Sequence, residues 1–127
     1  MERSNNMVGW FELPVTNIDR AKAFYETVFN ISIQIMDFGG FLMGWFPSAE
    51  NKPGAAGTLV KHEMYEPSSS AGVLVYFSCD DVSQELSRVA AAGGKVLQQK
   101  TQISPEYGYM ALFVDSEGNR VALHSMK

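Results

Sequence analysis

Hydrophobic and polar positions along the chain fall into two closely similar series of elements. An apolar, extended run over 7–15 leads into Ile18, Ala21, Tyr25 and Val28 at helical spacing, which predicts a strand and then a helix with one buried face. Thr16 or Asn17 suits the helix start, with Asp19 in the first turn, and Asn30 suits its end. Ile31, Ile33 and Ile35 alternate with Ser32 and Gln34, the period of a half-buried strand, and Gly39-Gly40 supplies a turn into a strand over 41–46. Residues 47–56, rich in Pro, Gly, Ala and Ser, read as a loop before a strand over 57–62.

The second half repeats this order. A strand over 73–79 precedes a helix capped by Asp80 or Asp81, with Val82, Leu86, Val89 and Ala90 on its buried face and Gly93-Gly94 as its stop. Strands over 95–101, 109–114 and 120–126 follow, the last two joined by a turn at 115–119 in which Gly118 supplies a positive φ. The segment 64–72, with Pro67 and three serines, is the crossover, so module one covers about 7–63 and module two about 72–127 of a single 1–127 domain. Glu12 aligns with Tyr76 and Ile18 with Val82 at an offset of 64, whereas Val60-Lys61-His62 aligns with Ala122-Leu123-His124 at an offset of 62. Such a repeat implies two α+β modules across a shared cleft, with equivalent positions open to comparison.

Several segments carry a resemblance in the same order: Phe11-Glu12-Leu13-Pro14-Val15, Ala23-Phe24-Tyr25-Glu26-Thr27-Val28-Phe29, Ala91-Ala92-Gly93-Gly94, and Asp115-Ser116-Glu117-Gly118-Asn119-Arg120 with Leu123-His124. Over the whole chain the sequence resembles the vicinal oxygen chelate superfamily, which includes glyoxalase I, bleomycin-resistance proteins, extradiol dioxygenases and fosfomycin-resistance proteins. The resemblance implies two βαβββ modules forming a glyoxalase-like half-barrel. It leaves the activity open, because lyases, isomerases, oxygenases and binding proteins share that fold.

In metal-dependent members the ligands come from the first and last strands of each module. The resemblance places Glu12, Tyr76, Val60 and Ala122 at those positions. A phenol with a pKa of about 10 is a poor ligand at neutral pH, and Val and Ala offer no donor, so the expectation is a degenerate site with no metal and no cofactor. An alternative set is Glu12 with His62 and His124, each two residues beyond Val60 and Ala122 and therefore on the same strand face. Glu12 itself interrupts an apolar strand. It is expected to face the cleft, to pair with Tyr76, and to act either as an anchoring carboxylate or as a general base beside a carbonyl.

Aromatic side chains suggest what the cleft holds. Trp45, Tyr76 and Tyr109 are expected walls for a flat or apolar molecule, with His62 and His124 as further contacts and the segments 47–56 and 103–108 as covering loops. Composition narrows the alternatives. A net charge of −4 with ten Lys plus Arg argues against a nucleic-acid groove. No apolar run is long enough to span a bilayer, no secretory leader pattern is visible, and the single Cys79 cannot form an internal disulfide, so a cytoplasmic location is expected. Exposed strand edges in a half-barrel of this size suggest a homodimer. The resulting expectation is a small-molecule binding protein; the alternative is a lyase or isomerase using Glu12 as base, possibly metal-assisted through His62 and His124.

Overall fold

Residues 6–127 are described by a computed structural model, so the first five positions of the expected domain lie outside the described residues. The first module contains β1 (Phe11–Pro14), α1 (Ile18–Phe29), β2 (Gln34–Phe38), β3 (Phe41–Trp45) and β4 (Gly57–Lys61). The second contains β5 (Val75–Ser78), α2 (Val82–Ala92), β6 (Lys95–Ser104), β7 (Gly108–Val114) and β8 (Arg120–Ser125). Each module forms its own four-stranded sheet, in the orders β1-β4-β3-β2 and β5-β8-β7-β6. Pairs β1–β4 and β5–β8 are parallel and the others antiparallel, so the twofold repeat read from the sequence is a repeat of topology.

Local chemistry sets the element ends. The Asn17 side chain accepts the Arg20 amide at the start of α1, and Asn30 ends that helix in the left-handed conformation. Asp81 accepts the Ser83 amide at the start of α2, and Gly93 ends it. The strand expected over 7–15 is shorter than the apolar pattern suggested, because residues 7–10 find no ladder partner and pairing begins only at Phe11 opposite Gly57. Likewise β2 starts at Gln34, whereas β6 continues to Ser104 through three register shifts against β7.

Both helices pack on one face of the sheets and share a single core. Phe24, Tyr25 and Val28 of α1 and Val82, Leu86 and Val89 of α2 are buried with Leu13 and Leu59 of the first sheet and Phe113, Val121 and Leu123 of the second. Rings interlock across the modules, with Phe29 and Phe77 4.9 Å apart and Phe24 and Phe113 5.9 Å apart. Strand alternation leaves the other face of each sheet free of helices, and this is called the open face below.

The β7–β8 turn fastens one module to the other. Glu117 accepts the Thr16 and Asn17 amides at 2.9 and 2.8 Å and pairs with Arg20 at 2.6 Å. Burial alone would push its carboxyl up, but the Arg20 guanidinium and the Asn17 and Thr16 amides outweigh it and hold the pKa at about 2. Asp115 organises the turn by accepting the Glu117 and Asn119 amides, and also accepts the Tyr25 hydroxyl at 2.6 Å. Burial and the neighbouring Asp115 charge keep the Tyr25 phenol well above its usual pKa, so it stays a donor. Gly118 takes the expected positive φ of 89° within this turn.

Hydrogen-bond register corrects one expectation from the repeat. Glu12 lies opposite Thr58 and Tyr76 opposite Ala122, and the amides of Val15 and Cys79 donate to the carbonyls of Val60 and His124. The offset of 64 therefore holds through the last strands, making Thr58 the equivalent of Ala122 and Val60 the equivalent of His124. The offset of 62 followed the likeness of two short apolar strings, each ending in His, whereas pairing to β1 and β5 fixes the backbone positions.

Candidate functional site

Two adjoining features make up the site. The first is a cavity of about 1150 Å³ beside the unpaired edges of β1 and β5. Trp10, Phe11 and Phe46 of the first module line it together with Tyr76 and Phe77 of the second, and the 47–56 loop forms part of its wall. Both modules thus contribute to one cleft, as the repeat implied. The second feature is the open face of the first sheet, reached through Trp10, whose ring lies 5.1 Å from that of Trp45.

On that open face, Thr58 sits between Glu12 on β1 and Trp45 on β3. Glu12 is half-buried on the side of β1 opposite the core residue Leu13. Its hydrogen-bond donor is Tyr65, 53 positions away in the crossover segment, rather than the expected Tyr76. The bond to Glu12, burial and the carboxylate charge raise the Tyr65 pKa, keeping the phenol protonated as the donor. Thr58 is fully buried and its Oγ1 has no hydrogen-bond partner among the described residues. A buried hydroxyl left unpaired costs about 1–3 kcal/mol, so Thr58→Val should leave thermal stability unchanged or raise it, as a melting curve would show.

The other expected residues separate. Tyr76 is half-exposed on the open face of β5, in the cavity, and Trp45 is beside Trp10. Tyr109 lies two residues before the core residue Ala111 and packs partly against the core, while the Lys100 ammonium sits 4.6 Å from its ring centre. The structure therefore does not bring Tyr109 to the open face. His62 stacks on Phe41 at 3.9 Å with its Nδ1 accepting the Met64 amide, and His124 donates through Nε2 to the Tyr107 carbonyl at 2.6 Å. His62 follows the end of β4 in the first module, whereas His124 is on β8 of the second sheet.

The donor set does not fit a divalent cation. Among the described residues, no three His, Cys, Asp or Glu side chains come together, so Glu12, His62 and His124 form no common ligand set. At the last-strand positions, Thr58 or Val60 and Ala122 supply no strong ligand. Burial and the nearby Glu85 push the Cys79 thiol up to about 12, which disfavours its thiolate.

Trp10 was visible in the sequence only as one of many strand aromatics, and Thr58 and Tyr65 carried no local signal at all. Tyr65 reaches Glu12 only because the crossover segment folds back, with the Tyr65 amide donating to the His62 carbonyl.

The family model for the glyoxalase/bleomycin resistance protein/dioxygenase superfamily matches residues 7–123, and the chain belongs to that superfamily. A glyoxylase-like domain-containing protein of Didymella fabae is 25% identical over 124 residues, covering 94% of this chain and 93% of its own. Among solved structures, a hypothetical protein from S. aureus superposes with a TM-score of 0.69 at 18% identity, covering 94% of each chain. TnmS3, an antibiotic binding protein from Streptomyces sp. CB03234, superposes with a TM-score of 0.67 at 23% identity, covering 98% of each chain. Among the described residues no helix is long and apolar enough to cross a membrane.

Proposed function

We propose that this protein binds a small apolar or aromatic molecule in the cleft between its modules. The observation that carries this reading is the aromatic cavity to which both modules contribute, with Trp10 and Phe11 on one side and Tyr76 and Phe77 on the other. Its volume is slightly above the usual range of about 300–1,000 Å³ for small-molecule sites, and aromatic walls bind flat apolar surfaces well. The antibiotic-binding relative with the same fold supports the reading. Calorimetric titration with planar aromatic compounds tests it. Trp10→Ala and Tyr76→Ala are each expected to weaken binding about tenfold or more while leaving the fold intact by circular dichroism. Wild-type affinity in both variants would place the ligand elsewhere.

The metal position is read as degenerate. Zinc, nickel, manganese or iron(II) is then expected to leave the melting temperature within about 1 °C, because only tight binding to the folded state stabilises it. One equivalent of metal in elemental analysis, lost in both His62→Ala and His124→Ala, would restore the metal-assisted lyase or isomerase with Glu12 as base.

A homodimer is part of the same proposal. The edge strands β1 and β5 each lack a second neighbour, and Val8, Trp10, Val73 and Tyr76 are exposed at or beside those edges. Sedimentation is expected to give twice the 14.0 kDa chain mass. A 14.0 kDa species at micromolar concentration would remove it.

A further inference from the structure

Resting on the aromatic-ligand reading above, we infer that the preferred ligand is an organic cation, a protonated amine carried on a flat aromatic ring, with its ammonium held by Glu12. Glu12 is the acidic group of the first open face, and no Lys or Arg occupies an open-face position of β1 to β4. Tyr65 occupies Oε1, while among the described residues none donates to Oε2 and none forms an ion pair with Glu12. Around it the surface is aromatic: Trp10 precedes it by two residues with its ring 5.1 Å from that of Trp45, Trp45 lies one strand beyond Thr58, and Phe38 lies 6.2 Å from Trp45.

Desolvation selects the ligand. A neutral apolar ring laid over this face would strip water from a carboxylate and leave it unpaired, which costs several kcal/mol. An ammonium removes that penalty by donating to Oε2. The indole faces of Trp10 and Trp45 add a cation–π attraction that a neutral isostere lacks. Thr58 Oγ1 is an independent sign of the same polarity: it is a buried hydroxyl without a partner among the described residues, between Glu12 and Trp45. An anionic ligand would meet Glu12 with the same charge and, among the described residues, no compensating cation on the face.

Three isosteres test the inference by calorimetric titration at pH 7: protonated 2-(aminomethyl)naphthalene, neutral 2-naphthalenemethanol and anionic 2-naphthoate. The amine is expected to bind about tenfold or more tighter than the alcohol, with the naphthoate weakest. Glu12→Gln, which keeps an acceptor for Tyr65, is expected to weaken the amine and, by removing the stranded charge, to tighten the alcohol, bringing the two within about threefold of each other. Alcohol or naphthoate binding as tightly as the amine overturns the cation inference and leaves the aromatic-ligand reading standing. A preference for the amine that persists in Glu12→Gln overturns it equally. If no probe binds the wild-type protein, the aromatic-ligand reading fails and takes this inference with it.

Discussion

Replacing Glu117 by Gln should cost about 3 kcal/mol of stability at pH 7 and remove a corresponding part of the protein's acid sensitivity. The folded carboxyl titrates at about 2, against 4.5 for the unperturbed group. Its folded pKa is lowered, so the stabilisation is fully present above pH 4.5 and is lost as pH falls through about 2. Glutamine can still accept hydrogen bonds but cannot pair with Arg20 as an anion. Urea unfolding at pH 7, 4 and 2.5 checks the sign: the wild-type advantage over Glu117→Gln should shrink toward zero at the lowest pH. A gap that stays constant with pH would mean that charge is not what holds the two modules together at this turn.

Gly57→Ala should be nearly as damaging, for a steric reason. A Cβ at residue 57 would overlap the Phe11 carbonyl oxygen and lie 2.5 Å from Phe11 Cδ2, closer than real Cβ contacts allow. Backbone cannot yield there without breaking the β1–β4 ladder, in which Phe11 and Gly57 are directly opposed. The expected loss is about 3 kcal/mol, measured as a lower urea midpoint. Because β1 carries Glu12 and directly follows Trp10 at the site, aromatic binding should weaken in the fraction that remains folded. Gly9→Ala is the matched control. A Cβ there meets nothing within 4 Å, so the midpoint should stay within about 0.5 kcal/mol of wild type.

Much of the fold was legible because it rests on local signals. Helical spacing identified the buried faces of α1 and α2, except that Ala90, expected on the buried face of α2, is exposed one position past Val89, and Asn17, Asn30, Asp81 and Gly93 act at the helix ends where such residues belong. Strand limits were less legible. Residues 7–10 are apolar enough for a strand, yet hydrogen-bond partners decide where a strand exists, and their positions are set by the rest of the sheet. The site was legible in type more than in membership. Glu12 stood out as a carboxylate in an apolar run, but its partner Tyr65 comes from a segment that reads as a plain connector. Tyr109 shows the opposite limit: an aromatic residue in a strand has two faces available, and alternation from Ala111 sends it toward the core.

The common register of the two modules turns the molecule into its own comparison series. Glu12 with Thr58 and Tyr76 with Ala122 occupy matching places on matching strands, so one chain presents a polar and a largely nonpolar edition of the same backbone site. The contrast can be transplanted: Tyr76→Glu together with Ala122→Thr writes the first pair onto the second sheet, where Met110 and Leu112 on β7 stand where Met43 and Trp45 stand on β3. A chain so altered would carry two acidic sites on one scaffold and would separate what the carboxylate contributes to recognition from what the neighbouring tryptophan contributes.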